Sequence, residues 1–144
     1  MKHQNGYALL EVLTSIVILG IVVTCITSIT KTIQQVEKNM LFKKYALQQV
    51  DTLLQQFAID PCAFYDNLQN GSLQAVYQEG RFWIYYDATC FNKTANPSSN
   101  YFILDYQRVD NIYTLSITIY RNQELYQLPC SFHRSVYWRT ENEE

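Results

Sequence analysis

Residues 6–29, GYALLEVLTSIVILGIVVTCITSI, decide how this chain is read. The run is as long and as apolar as a membrane span, which needs roughly 20 mostly apolar residues to cross about 30 Å of hydrocarbon. It carries one carboxylate, Glu11, and no other charge appears from Val12 to Thr30. An acid inside a span costs about 2.5–3.5 kcal/mol on insertion scales, so Glu11 is expected to meet a partner.

Helical spacing continues beyond the span. Ile33, Val36, Met40, Leu47, Val50, Leu54 and Phe57 form an apolar stripe of period near 3.5, interrupted at Lys43, with Lys31, Gln35, Lys38, Gln49 and Gln56 opposite. Asp60-Pro61 ends the helix, because the residue before proline is pushed out of the α region. A helix from Ala8 to Ile59 would be about 78 Å long. Its outer half is expected to bury the stripe against the domain that follows; a short coiled coil is the competing use.

Past the helix the period becomes two. Thr114–Ile119 alternates apolar and hydroxyl residues, the pattern of a half-buried strand. Phe102, Leu104 and Tyr106 share one face of another. Gln74–Gln78 and Arg81–Tyr86 are joined at Glu79-Gly80, and Leu125–Phe132 follows the Asn122-Gln123 turn. Pro61–Gly71 and Phe91–Asn100 read as loops, and 134–139 as an extension or an added strand. Short connections favour an antiparallel meander. Fifteen per cent aromatic content, with 12 Tyr, suits such a sheet. The fold class is therefore α+β: a long N-terminal helix with a small antiparallel sheet packed on its second half.

Composition excludes some functions. The 144 residues carry a net charge of −2, which gives no electrostatic basis for bulk nucleic-acid binding. No His pair, Cys-x-x-Cys or carboxylate pair has metal-ligand spacing, and four glycines leave no phosphate loop. His133 reads as a strand or surface residue. Asn70-Gly71-Ser72 and Asn92-Lys93-Thr94 match the glycosylation pattern by chance. The sequence points to no catalysis, no metal and no cofactor.

Four readings of the N-terminus compete. A cleaved secretory peptide lacks a small-x-small site after the apolar run. Val22-Val23-Thr24-Cys25 approaches a lipobox but places Thr24 where Gly, Ala or Ser belongs. An uncleaved single-pass protein with an outer ligand-binding domain explains the span, with weak support from Lys2 and His3 for an inside N-terminus. It leaves Glu11 and the Gly6-Tyr7 junction as accidents.

The fourth reading accounts for both. The short basic leader MKHQNG, ending in Gly6 and followed by YALLEVLTSIVILGIVV, resembles a type IV prepilin. Tyr7 stands where the family has its first mature residue, usually Phe; Ala8 replaces a common Thr; Glu11 takes the place of the fifth-position Glu; and Gly20 falls where many members carry glycine. No proline lies between Tyr7 and Ile59, which with LLEVL favours a minor pilin or pseudopilin. The resemblance implies a leader (1–6), a transmembrane and filament-core helix (7–30), an amphipathic second half (31–60) and a globular domain (61–144). It implies cleavage between Gly6 and Tyr7, N-methylation of Tyr7, and a contact of Glu11 with a neighbour's N-terminal amine. The implied partners are other pilins, the prepilin peptidase, the assembly platform protein and membrane lipid, with DNA reached only through the filament. The implied location is the cytoplasmic membrane with the domain outside it, then the filament. Small size and spare cysteines resemble competence minor pseudopilins of Gram-positive bacteria, ahead of secretion or adhesion.

Cys25 lies in the span, and Cys62, Cys90 and Cys130 lie beyond it. If the first strand starts at the pole where the helix ends, the second returns Cys90 toward Cys62 and later strands carry Cys130 away. A bridge needs Cα atoms within about 7 Å, so Cys62–Cys90 is the expected disulfide.

Overall fold

The computed structural model describes residues 4–126 and 132–138, with side chains from Tyr7 onward. The chain divides into two compact units, Met1–Met40 and Leu41–Glu144. The first consists of the upstream part of α1 (Gln4–Ile59); its described side chains, from Tyr7 to Met40, are all exposed.

The second unit is α+β. Among the described residues, the last turns of α1 and a second helix, α2 (Pro61–Gln69), share one core with a seven-stranded antiparallel sheet. Its strands are β1 (Ala75–Gln78), β2 (Arg81–Tyr86), β3 (Lys93–Thr94), β4 (Asn100–Val109), β5 (Ile112–Arg121), β6 (Glu124–Leu125) and β7 (Phe132–Tyr137). The order is β1-β2-β4-β5, the expected meander; β3 pairs with β2, and β6 and β7 both pair with β5. Glu79-Gly80 and Asn122-Gln123 turn with positive φ at both positions, the form whose twist matches flanking strands.

Period two places Phe82, Ile84 and Tyr86, Phe102 and Leu104, and Tyr113, Leu115, Ile117 and Ile119 on the buried face. The stripe of α1 that meets them is Phe42, Ala46, Val50, Leu53 and Phe57. This corrects the expected stripe: Ile33, Val36 and Met40 are exposed, and Leu47 and Leu54 are only half-buried. The buried set begins where the sheet begins to cover the helix.

The segment read as a loop, Pro61–Gly71, is mostly α2. Asp60 leaves α1 at φ −152° and its Oδ1 accepts from the Cys62 and Ala63 amides, both at 2.9 Å, capping a helix with proline in its first turn. Phe64 and Leu68, one turn apart, bury its inner face.

This helix changes the strand directions. Ala75 pairs with Ile84 and Gln78 with Arg81, so β1 runs toward the end of the sheet that holds Arg108 and Tyr113. The Cys62 thiol lies at that end and donates to the Tyr113 hydroxyl at 3.5 Å. β2 then carries the chain away to Cys90, whose amide bonds the Asp87 carbonyl beside Asn100, at the opposite end of β4. Ten residues of β4 span about 30 Å. Cys62 and Cys90 are accordingly free thiols, and the expected bridge between them is not formed. Cys130, and most of the expected strand Leu125–Phe132, lie outside the described residues.

Candidate functional site: the N-terminal helix

Gln4–Tyr7 form the first turn of α1, so the Gly6–Tyr7 bond and Glu11 belong to one continuous helix. Tyr7 is 76% exposed, and large apolar side chains remain exposed all along this part of the helix, from Leu9 to Met40. Among the described residues α1 is the one helix long and apolar enough to cross a membrane. A helix apolar on every side is stable only in lipid or among other helices.

The serine and threonine hydroxyls in this stretch are closed on the helix's own backbone. The hydroxyls of Thr14 and Ser15 donate to the Glu11 carbonyl, at 2.9 and 2.8 Å. Thr27 and Ser28 donate to the Thr24 carbonyl, while Thr24, Thr30 and Thr32 donate to the carbonyls of Ile21, Ile26 and Ser28. Each hydroxyl thus enters an apolar medium already bonded, which removes most of the cost of burying it. The sequence signal was a serine or threonine inside the helical run, able to reach back to the carbonyl three or four residues earlier, and it was missed.

Glu11 differs. Its backbone carbonyl is used, but among the described residues its carboxylate has no hydrogen-bond or ion-pair partner. Gly20 faces open space; a Cβ built there meets nothing within 4 Å. Cys25 is an exposed free thiol.

Among the described residues no three His, Cys, Asp or Glu side chains cluster to hold a metal. On the outer sheet face Ser116 Oγ lies 2.9 Å from His133 Nδ1, and Asp105 pairs opposite Ser116. The row runs Asp105, Ser116, His133 across three strands, with the carboxylate on the serine's side of the histidine. It therefore lacks the acid behind the base that orients an acyl-transfer triad.

The 87–100 loop is wired for rigidity. The Asp87 carboxylate accepts from the Thr89 and Phe91 amides, the Thr89 hydroxyl and the Asn92 side chain. Partial burial pushes its carboxyl up, but these bonds together outweigh burial and hold it below the ordinary aspartate value. Asn100 ties the loop to Asp87 and to the Asn122 amide, and Gln49 of α1 bonds the Phe91 carbonyl. Burial first, and Asp87 second, push the Cys90 thiol up to about 12, so it stays protonated and packs as a small apolar group.

Residues 1–24 match the family model of the prokaryotic N-terminal methylation motif. Comparison with curated proteins and with solved structures gives no match. The matched segment contains Gly6, Tyr7 and Glu11, and it marks the chain as a type IV pilin-like prepilin.

Proposed function

We propose that the chain is a minor subunit of a type IV pilus-like filament or pseudopilus. It enters the membrane as a prepilin, is cleaved after Gly6, is methylated on the new Tyr7 amine, and assembles through α1 with its domain outside the membrane. The observation that carries this reading is the methylation motif on a helix whose apolar surface is exposed from Tyr7 to Met40 and whose Glu11 carboxylate has no partner among the described residues. A neighbour's N-terminal amine supplies what Glu11 lacks, since a buried charge is tolerable when paired and costly when alone. The partners are other pilins, the prepilin peptidase and the assembly platform.

Competence is the system we assign, from the small domain and its free cysteines. DNA contact then belongs to the assembly, because this chain of net charge −2 carries no basic stripe in its sheet domain. Mass spectrometry of the native N-terminus tests the prepilin reading: N-methylated Tyr7 supports it, and a chain starting at Met1 overturns it. Deleting the gene and scoring DNA uptake, secretion and surface pili side by side tests the system.

A further inference from the structure

Charges in residues 31–80 are sorted by sign. Lys31, Lys38, Lys43 and Lys44 share residues 31–44 with one acid, Glu37. From Tyr45 to Gly80 every charge is negative: Asp51, Asp60, Asp66 and Glu79. Lys44 stands about 24 Å of helix upstream of Asp60, too far to neutralise it within one copy. Of the bases beyond Gly80, Arg81 faces Asp105, Arg108 lies over the Tyr113 ring and bonds the Asp110 carbonyl, and Arg121 lies over the Phe42 ring.

A groove of about 330 Å³ opens in the acidic segment, where α1 meets α2. Ile59, Phe64 and Leu73 give it an apolar wall, Gln56 and Asn67 supply amides, and Asp60 is its one charged lining residue. Asp60 Oδ1 is turned to the α2 amides, which leaves Oδ2 for a cation. The last turn of α1 has no basic residue, although a helix C-terminus favours one. An apolar wall ending in a carboxylate fits a lysine, whose methylene stem lies on apolar surface while its ammonium reaches the charge.

We propose that this groove takes a lysine from the basic stretch 31–44 of α1 in a second copy of the chain, its ammonium on Asp60. The proposal rests on the filament reading and extends it to a second contact, outside the apolar span. The donor stretch and the acceptor groove are different surfaces, so the contact is head-to-tail and repeats along an open filament instead of closing a dimer. Opposite charges at the two surfaces steer the copies into one stagger.

Carbodiimide cross-linking of the full chain in membranes, with two differently tagged copies co-expressed, tests this. The reagent activates the Asp60 carboxyl, a lysine amine in contact displaces it as the urea, and an amide forms. The expected product joins Asp60 of one tagged copy to Lys31, Lys38, Lys43 or Lys44 of the other. It is lost in Asp60→Asn, which keeps the cap on α2 and so leaves the thermal midpoint unchanged. Dimers joined only elsewhere, or Asp60 joined to a lysine of a different protein, overturn the proposal. If chains start at Tyr7 yet no copy-to-copy product forms, the groove contact is refuted and the prepilin reading stands. If chains start at Met1, both fall.

Discussion

The ring of Tyr86 packs on that of Phe102 with centroids 4.4 Å apart, and the Tyr86 hydroxyl, fully buried, has no hydrogen-bond partner among the described residues. Burial, and then the nearby Cys90, push that phenol far above its ordinary value. Leaving a buried polar group unpaired costs about 1–3 kcal/mol, whereas the ring itself contributes dense packing. Tyr86→Phe should therefore raise the stability of the domain by about 1 kcal/mol. Tyr86→Ala should lower it by about 3–5 kcal/mol, as other aromatic truncations do. Denaturant unfolding of the detergent-solubilised chain measures both; a clear loss of stability in Tyr86→Phe would mean that the hydroxyl has a partner.

Asp87 makes the domain acid-sensitive. Its folded-state pKa is depressed, so its contribution is complete above the unfolded value of about 3.9 and fades as pH falls through the lower folded value. Stability should thus drop below about pH 4 in the native chain. Asp87→Ala should already be destabilised at pH 7 and should lose less on acidification, because the carboxylate that binds the Thr89 and Phe91 amides is gone. Unfolding midpoints for both chains between neutral and acid pH decide this: parallel curves would assign the acid loss to other groups.

Much of this architecture was legible because its signals are local. Tyr7–Ile29 is too apolar to be anything but a span or a packed helix, and Thr114–Ile119 alternates so cleanly that only a half-buried strand fits. Asp60-Pro61 was legible in one direction only. The pair that stops α1 also starts α2, since aspartate at the cap with proline next is equally an initiation signal. Reading it as a stop alone turned a helix into a loop, reversed the inferred direction of β1 and brought Cys90 to the wrong end of the sheet. The buried stripe of α1 was harder: Ile33 and Val50 look alike in sequence, and only the extent of the sheet decides which is covered. In the candidate site, Gly6, Tyr7 and Glu11 stood out by type and spacing, while the missing partner of Glu11 required the structure.

Gly6→Val should leave the leader attached. Valine costs under about 1 kcal/mol in a helix, so insertion of the apolar run is unaffected. The change acts at the scissile junction, where two methyl groups occupy space that glycine leaves to the peptidase. The chain should accumulate in the membrane at full length, starting at Met1. Processing at the native rate, followed by electrophoretic mobility, would show that the junction is not read through Gly6.

Glu11→Ala should insert normally and fail to assemble. The hydroxyls of Thr14 and Ser15 bond the backbone carbonyl of residue 11, which alanine retains, so the helix keeps its local hydrogen bonds. Removing the carboxylate lowers the insertion cost by about 2.5–3.5 kcal/mol, and the membrane fraction should hold at least as much subunit as before. What disappears is the charge that a neighbour's amine would meet. Glu11→Gln separates charge from shape: it keeps a hydrogen-bond acceptor of the same length, and should incorporate less well than the native chain but better than alanine. The measurement is the ratio of subunit in the sheared or pseudopilus fraction to subunit in the membrane, with N-terminal processing checked in each variant. Native incorporation of Glu11→Ala would remove Glu11 from the assembly contact.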